Sequence, residues 1–307
     1  MTTETTPKTT RAGFVAIIGA PNAGKSTLLN LLVGQKIAIV SPKVQTTRVN
    51  MRGVLTKDEN QFIFVDTPGI YRPRENGRLL DKSMVNAAWK ATGDADVVLM
   101  VVDAKTGFTP KVDDILDNLR ENKSRTPIFL AFNKVDSVDK EKLLPLMQEA
   151  MNMHMFTEIF AISARNNDGA FDMLKRFAPL LPESPYLYDE DTLTDMPMRL
   201  IAAEITREKA FLNLQQEVPY SLAVETVNFE HYDNGSIRID QSIMVEREAH
   251  KPIVLGKNGA NIKRIGQWAR KDLEEMLETQ VHLFLKVKVN DKWANSTNFM
   301  REIGLGE

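Results

Sequence analysis

Residues 14–26, with the sequence FVAIIGAPNAGKS, decide the fold of the chain. The run 14–18 is apolar and mostly β-branched, which predicts a buried strand. Residues 19–26 follow the pattern G-x-x-x-x-G-K-S, which is typical of a phosphate-binding loop at the start of a helix. That helix is predicted over 27–33 and ends before Gly34. The strand, loop and helix in succession predict an α/β domain with a polyphosphate site.

The residue types of this loop suit a densely charged ligand. Glycines allow consecutive backbone N–H groups to point inward, and the helix N-terminus adds its positive end. Lys25 supplies a point charge for the β- and γ-phosphates, and the Ser26 hydroxyl is a ligand for Mg²⁺. We predict that the phosphates contact Gly19, Ala20, Pro21, Asn22, Ala23, Gly24, Lys25, Ser26 and Thr27.

The composition excludes several classes of protein. The net charge of the 307 residues is −2, so any nucleic-acid surface must be a local patch. The absence of cysteine excludes disulfides and thiolate zinc sites. No apolar run reaches the roughly 18 residues that span a bilayer, and the polar residues 1–12 predict a disordered tail. We expect a cytoplasmic monomer; peripheral contact with the inner face of the cell membrane stays open.

Apolar runs alternate with helix-like segments as far as residue 181. This alternation predicts a mostly parallel, doubly wound sheet with helices on both faces. In such a sheet, ligands bind at the carboxyl ends of the strands. The predicted strands are 14–18, 62–65, 97–102, 128–132 and 159–162.

Two segments after the first helix offer further Mg²⁺ ligands. Residues 36–52 form a polar connection in which Thr47, or as second choice Thr46, can place a hydroxyl on Mg²⁺ beside the γ-phosphate. In the turn Asp66-Thr67-Pro68-Gly69, Asp66 ends a strand and can hold Mg²⁺ directly or through water. The Gly69 N–H can approach the γ-phosphate because no side chain obstructs it. The predicted metal ligands are Ser26, Thr47 and Asp66; the predicted catalytic residues are Lys25, Thr47 and Gly69.

The segment Asn133-Lys134-Val135-Asp136 predicts which base of a nucleotide the site binds. The Asp136 carboxylate can accept from both the N1–H and the exocyclic amine of guanine, whereas adenine would leave it unpaired. Asn133 would hold the loop to its neighbours, and the Lys134 stem would cover the base. At the next strand end, Ser163-Ala164, the Ala164 N–H can bond the guanine oxygen. We therefore predict a guanine nucleotide and disfavour an ATPase.

After the Pro-rich, acidic segment 182–197 the pattern changes to α+β. A helix at 200–212 precedes two strand-like runs joined by Asn234-Gly235, a strong hairpin signal. A G-x-x-G loop at 256–259 then lies between two helices and allows a nucleic-acid backbone to approach closely. Residues 249–271 carry no acid, and we predict RNA contacts at Lys251, Gly256, Lys257, Asn258, Gly259, Lys263, Arg264 and Arg270.

Together these motifs resemble the set found in translation-factor-related GTPases. With Gln45-Thr46-Thr47-Arg48 and the C-terminal region, residues 13–304 resemble the Era family, whose second domain is similar to a type II K-homology (KH) domain. The resemblance implies slow GTP hydrolysis with Mg²⁺, and binding near the 3′ end of 16S-type ribosomal RNA during assembly of the small ribosomal subunit. We expect a disordered tail (1–12), a P-loop GTPase domain (13–181), a linker (182–197) and a smaller α+β KH domain with a C-terminal tail (198–307).

One position departs from the Ras-like pattern. Ras-like GTPases place a water-orienting Gln directly after the Gly of the third motif, where this chain has Ile70. Because Ile cannot bond water, the backbone, another residue or a partner must orient it. Asn22 resembles an Asn that helps bind an activating K⁺ in related GTPases lacking that Gln; alternatively, Asn22 only favours the tight turn.

Two functions from different classes fit these residues. The first is a GTPase switch in which the γ-phosphate orders 36–52 and 70–79 and thereby changes RNA binding by the second domain. The alternative is a non-catalytic, GTP-dependent scaffold whose C-terminal module binds protein instead of RNA.

Overall fold

The structure is a computed structural model that describes residues 9–41, 43, 47–48, 50–70, 77–121, 125–215 and 217–305. Thr46, the second choice for the Mg²⁺ ligand, lies outside these residues, as do 71–76 of the predicted switch segment 70–79 and 1–8 of the predicted tail. The chain forms two compact units. Unit 1 comprises Met1–Ile37, Thr47–Pro73 and Met84–Asp195, and unit 2 comprises Ala38–Thr46, Arg74–Ser83 and Met196–Glu307.

Unit 1 is built on a six-stranded sheet. Its strands are β1 (Arg11–Ile18), β2 (Met51–Lys57), β3 (Asn60–Asp66), β4 (Val97–Asp103), β5 (Ile128–Asn133) and β6 (Glu158–Ala161). They lie in the order β2-β3-β1-β4-β5-β6, in which only β2 runs antiparallel to its neighbour. The prediction of a mostly parallel sheet is confirmed.

Helices follow the strands of this sheet. They are α1 (Lys25–Val33), α2 (Leu79–Gly93, of which 84–93 belong to unit 1), α3 (Pro110–Glu121), α4 (Lys140–Asn152) and α5 (Asp172–Phe177). All side chains of 97–102 in β4 are buried, as expected for a central strand covered by helices on both faces. The core therefore fixes the carboxyl ends of β1, β3, β4 and β5 side by side.

Two expectations at the edge of unit 1 were wrong. The connection 36–52 was expected to remain irregular, but its last two residues open β2, because that strand pairs with β3 from Met51↔Asp66 onward. The disordered tail was expected to reach Ala12, but β1 begins at Arg11. Arg11 is held there because its N–H donates to Glu59 O at 2.9 Å and its guanidinium pairs with Glu183 at 2.6 Å.

The segment 182–195, expected to be part of a linker, packs on β2 and β3. The buried Gln61 side chain accepts from the Leu187 and Tyr188 N–H groups at 2.8 and 3.0 Å and donates to Tyr188 O at 2.8 Å. The Val54 N–H donates to Leu193 O at 2.9 Å. The Val54 bond satisfies a backbone N–H that the edge strand β2 would otherwise expose.

Unit 2 is a smaller α+β structure, as predicted. It contains α6 (Met198–Asn213), β7 (Leu222–His231), β8 (Ile237–Val245), α7 (His250–Leu255), α8 (Ala260–Leu277), β9 (Val281–Val289) and α9 (Thr297–Glu302). The sheet order is β7-β8-β9, antiparallel then parallel, and α6 and α8 pack their apolar residues on one face. Within the described residues, no helix is both long and apolar enough to cross a membrane.

Candidate functional site: a phosphate loop with an oxygen cluster, and a basic groove

The loop between β1 and α1 bends through backbone conformations that favour glycine. Gly19 has φ 149° and Gly24 has φ 97°. A Cβ at Gly24 would lie 2.2 Å from the Asn133 side-chain nitrogen, and a Cβ at Gly19 would lie 2.3 Å from Val101 O. Both positions therefore require glycine, since another part of the chain already occupies the space of a side chain.

Lys25 is buried at the first turn of α1, with 6% of its surface exposed. Its Nζ donates to Gly19 O at 3.0 Å and to Ala20 O at 3.1 Å, both in the same loop. Burial lowers the pKa of Lys25 to about 8, and the charge of Asp66 opposes that shift. A phosphate placed here would favour the protonated ammonium and raise its pKa again.

Ser26, Thr47 and Asp66 come together, as predicted for metal ligands. Ser26 Oγ donates to Asp66 Oδ2 at 2.6 Å, and Thr47 Oγ1 lies 2.9 Å from Ser26 Oγ and 3.4 Å from Asp66 Oδ2. The other Asp66 oxygen, Oδ1, is buried and has no hydrogen-bond partner in the described part of the chain. Burial raises the pKa of Asp66 to about 6, against the opposing effects of Lys25 and the two hydroxyls.

These donors fit Mg²⁺. Hydroxyl and carboxylate oxygens are hard ligands, and Mg²⁺ needs only one or two carboxylates beside phosphate oxygens and water. A bound dication would also compensate the buried negative charge of Asp66.

The turn after β3 is fixed against the phosphate loop. The Thr67 hydroxyl donates to Ile17 O at 2.9 Å, and Pro68 is buried. A Cβ at Gly69 would lie 3.0 Å from the Pro21 backbone, so the two segments approach too closely for a side chain. Ile70 is 3% exposed and belongs to the hydrophobic core of unit 1. Its side chain therefore has an apolar, structural role.

Asn133 joins three segments of the site. Its Nδ2 donates to Ala23 O at 2.9 Å, and its Oδ1 accepts from the Ala164 N–H at 3.0 Å and the Lys134 N–H at 2.8 Å. With only 2% of its surface exposed, this amide is fully used in holding the phosphate loop and the segment after β6 together.

Lys134 and Asp136 extend from the same strand end. Lys134 Nζ donates to Asn22 O at 2.6 Å and to Asp103 Oδ2 at 2.7 Å. The exposed Asp136 accepts from Ser163 Oγ at 2.6 Å. Asp103 was not predicted as a site residue. Its signal was its position directly after the apolar run 97–102, the same rule that identified Asp66.

Asn22 is exposed and has φ 67°, a left-handed conformation that Asn tolerates better than most residues. Thr27 follows in the first turn of α1, behind Ser26. The predicted nucleotide-binding residues thus lie at one edge of the sheet, at the carboxyl ends of its parallel strands.

In unit 2, the G-x-x-G loop between α7 and α8 has three residues with positive φ. Gly256, Asn258 and Gly259 have φ values of 71°, 53° and 76°. A Cβ at Gly256 would lie 2.8 Å from Asn261 N, whereas at Gly259 the nearest atom would be 4.0 Å away. The loop therefore leaves open space at Gly259, beside the exposed Lys257.

An open groove of about 320 Å³ lies between α8 and β9. Its lining includes Lys263, Gly266 and Arg270 from α8 and residues 283–285 from β9. Of the predicted RNA-binding residues, Lys263 and Arg270 line this groove. Arg264 does not: it bonds Asn261 at 3.1 Å and stacks on the Trp268 ring at 5.7 Å, while Lys251 lies on α7.

Both units are similar to known protein families. A family model described as a 50S ribosome-binding GTPase matches residues 14–134, and a KH-domain model matches 217–294. A protein named GTPase Era from Brucella suis is 49% identical over 98% of this chain and 96% of its own. One from Mesorhizobium japonicum is 50% identical over 96% of this chain and 94% of its own.

Two solved structures are similar over nearly the whole chain. One is a variant of Aquifex aeolicus Era bound to GDP·AlF4⁻, and the other is Era in complex with MgGDPNP and nucleotides 1506–1542 of 16S ribosomal RNA. Each has a TM-score of 0.91 and 40% sequence identity, covering 97% of this chain and 100% of that chain.

Proposed function

The chain belongs to the Era family of GTPases and is itself a GTPase, and we propose that GTP binds at the edge of unit 1 formed by residues 19–27, 66–69, 133–136 and 163–164. The observation that carries this proposal is the cluster of Ser26, Thr47 and Asp66. Three segments distant in sequence bring their oxygens within 3.4 Å of one another beside the phosphate loop.

We call the part of the site formed by residues 19–27, Thr47 and 66–69 the nucleotide corner. Each of its polar residues has a defined task. Ser26, Thr47 and Asp66 would hold Mg²⁺, which when bound offsets the negative charge on the β- and γ-phosphates. Lys25 contributes its ammonium to the same phosphates, and the Gly69 N–H donates to the γ-phosphate. The relative solved with MgGDPNP supports the choice of metal.

Water for hydrolysis must be oriented by something other than Ile70, whose side chain lies in the core. We assign Asn22 to a K⁺ that assists the reaction, because this exposed side chain sits on the phosphate loop itself. Hydrolysis should then be faster in K⁺ than in Na⁺, and Asn22→Ala should remove that difference. An equal rate of the native protein in the two salts would leave Asn22 with its turn role alone.

Thr47→Ala tests the corner directly. Loss of one hydroxyl ligand should raise the Mg²⁺ concentration needed for half-maximal hydrolysis and lower kcat by about 10–100-fold, as for other transition-state contacts. Thr157→Ala, at an exposed threonine before β6, is the matched control and should leave both values unchanged. Unchanged Mg²⁺ dependence in Thr47→Ala would remove this residue from the metal site.

The base is held at the other end of the site. Asp136 would accept from the guanine N1–H and amine, and the Lys134 stem would cover the ring. The Ala164 N–H, which donates to Asn133 Oδ1 in this structure, would leave that acceptor and donate to the guanine oxygen. The bond of Asn133 to Ala23 supports this assignment, because it fixes the base end of the site to the phosphate loop.

Unit 2 would bind ribosomal RNA of the small subunit near its 3′ end. The supporting observations are the groove lined by Lys263 and Arg270, the open G-x-x-G loop, and the similar Era structure that holds nucleotides 1506–1542 of 16S ribosomal RNA. Binding there would serve maturation of the small ribosomal subunit.

Parts of both predicted switch segments belong to unit 2, which supports control of RNA binding by the nucleotide. The Val40 N–H donates to Glu208 at 2.8 Å, and Lys43 Nζ donates to the Phe211 and Leu214 carbonyls. Arg78 donates to Tyr220 O at 3.0 Å. When Mg²⁺ orders Thr47, the nearby Val40 and Lys43 would move with it. Because both are bonded to residues 208–214, this movement would reach α6. RNA affinity should therefore differ between GDP and a GTP analogue; equal affinities would contradict this link.

Lys263→Gln with Arg270→Gln tests the RNA site. The pair should weaken binding of the 1506–1542 segment and lower the slope of log K against log salt by roughly 1.4, at about 0.7 per phosphate contact in a single strand. Lys271→Gln, on the same helix but outside the groove lining, is the matched control. Unchanged RNA binding together with normal association with small subunits would favour the alternative, a module that binds protein. Preferential association with large subunits would contradict the small-subunit assignment.

A further inference from the structure

The sheet of unit 2 has an outer face, on the side opposite α6 and α8. This face carries the exposed aromatic ring of Phe284 beside the groove. The leucines and valines at 283, 285, 287 and 289 of β9 pack into the core with α6 and α8. Residues of β9 alternate between faces, so His282, Phe284, Lys286 and Lys288 lie on the opposite, outer face. Phe284 is 50% exposed, although it is a large apolar side chain.

Phe284 lies among a cation and two further aromatic rings. The Arg238 guanidinium lies 5.2 Å from its ring centroid and donates to Asp240 at 2.9 Å, which fixes its orientation. Next to it, the rings of Tyr232 and His282 are 6.1 Å apart. The register places Arg238 beside His282 and Asp240 beside Phe284, so these groups form one patch.

Charge is distributed unevenly across this face. The acids Glu225 and Glu230 lie on β7, the strand farthest from the groove, and Asp240 on β8 is paired with Arg238. β9, which borders the groove, carries Lys286 and Lys288, both exposed, and no acid. The outer face is therefore most positive along the edge that it shares with the groove.

Phe284 also lines the groove, opposite Lys263 and Arg270. The groove and the outer face thus meet at one residue. We propose that an RNA strand leaving the groove crosses the edge of β9 onto the outer face, where one base stacks on Phe284 and the following phosphates contact Lys286 and Lys288. This inference rests on the proposed RNA-binding function of the groove.

The chemistry of the patch favours single-stranded RNA over a protein. Sheet faces that present aromatic rings among cations bind single strands by stacking, which is tolerant of sequence. A protein anchor on Phe284 would need surrounding contacts that exclude water. Asp240, the cross-strand neighbour of Phe284, is charged, and Asn228, the neighbour of Asp240 on β7, is polar.

The experiment compares short and long RNAs. Tetranucleotides tiled across the 1506–1542 segment match the four nucleotides that a KH groove holds; ten-nucleotide RNAs extend the tightest of them on its 5′ or 3′ side. Phe284→Ala should weaken one extended RNA about tenfold more than it weakens the tetranucleotide, because the lost base–aromatic stacking on the outer face adds to any loss at the groove lining. Phe284→Trp should restore the extended binding. The double change Lys286→Gln and Lys288→Gln should lower the salt slope of the extended RNA alone by roughly 1.4.

Val227→Ala is the matched control, since Val227 is an equally exposed apolar residue at 53% on β7, far from the groove. Thermal unfolding of each variant checks the fold. If the native protein binds no tetranucleotide, the proposed groove function fails. If tetranucleotides bind but Phe284→Ala leaves every extended RNA unchanged, or weakens both lengths equally, only the outer-face path is overturned. A Phe284→Ala effect on sedimentation instead of RNA affinity would assign the patch to a second copy of the chain.

Discussion

The nucleotide corner of unit 1 and the groove of unit 2 both present cations to phosphates, but they are built in opposite ways. Lys25, Asp66 and Asn133 are at most 6% exposed, and Asp66 and Asn133 both bond to residues of the phosphate loop. Lys257, Lys263 and Arg270 are surface groups on a loop and a helix. The difference teaches that a compact ligand such as a nucleotide needs a preorganised, buried site. A polymer such as RNA can be bound by solvated charges spaced along a surface.

The largest effect should come from Asp136→Asn. The amide cannot accept from both guanine donors, so GTP affinity should fall by at least about 100-fold, as when a buried polar group loses its partner. Xanthine nucleotides should bind better than to the native protein, because their N1 and O2 pattern suits the amide. The measurement is competition by XTP and GTP against a labelled nucleotide. Asp139→Asn, at an exposed acid three residues later, is the control, and an unchanged preference in Asp136→Asn would remove the base assignment.

The second largest effect should be a difference in salt dependence between RNA binding by unit 2 and GTP binding by unit 1. If about four phosphates are neutralised in the groove, raising KCl from 50 to 200 mM should weaken RNA binding about 50-fold. GTP binding with saturating Mg²⁺ should change far less, since the charges of Lys25 and Asp66 are buried and poorly screened. Titrations of both ligands on one preparation make the test. Equal salt dependence for GTP and RNA would break the distinction between the two regions.

Lowering the pH should weaken Mg²⁺ binding in the nucleotide corner because it protonates Asp66. Its pKa of about 6 means that the carboxyl is mostly protonated at pH 5 and mostly ionised at pH 7. A metal ligand must be deprotonated, so Mg²⁺ affinity should be about tenfold lower at pH 5 than at pH 7 beyond any titration of the nucleotide. Asp66→Asn reports the nucleotide contribution, because it lacks the carboxyl. Identical pH profiles for the native protein and this variant would contradict the role of Asp66.

The smallest effect is expected for Ile70→Gln. This side chain lies in the core, and the backbone N–H of Ile70 donates to Gly19 O at 3.3 Å. The introduced amide should lower thermal stability by about 1–3 kcal/mol through burial, without accelerating hydrolysis more than about twofold. Single-turnover GTP hydrolysis and a melting curve measure both effects. A tenfold gain in rate would mean that the amide reaches the water after all.

The sequence was most informative where a motif needs a fixed local geometry. The strand, loop and helix around Lys25 and the strand ends at Asp66 and Asn133 lie where periodicity placed them, because buried runs and glycine-rich turns leave few alternatives. The G-x-x-G loop at 256–259 also lies between two helices, α7 and α8, as predicted.

The sequence was less informative where tertiary contacts decide. β2 contains few consecutive apolar residues, and it exists because β3 pairs with it. The position of Asp103 after the run 97–102 marks it as an acid at a strand end, but its bond to Lys134 depends on the pairing of β4 with β5. Lys263 and Arg264 are neighbours in a basic run, yet only Lys263 lines the groove, since adjacent helical residues face different directions. The charge pattern alone could not show which of the two residues lines the groove.

Binding of GTP and ATP to the purified native protein in magnesium buffer tests the central claim most directly. The carboxylate of Asp136 and the phosphate loop at Lys25 predict tight GTP and GDP binding and at least about 100-fold weaker ATP binding. Equal affinity for guanine and adenine nucleotides would contradict the account of the whole site.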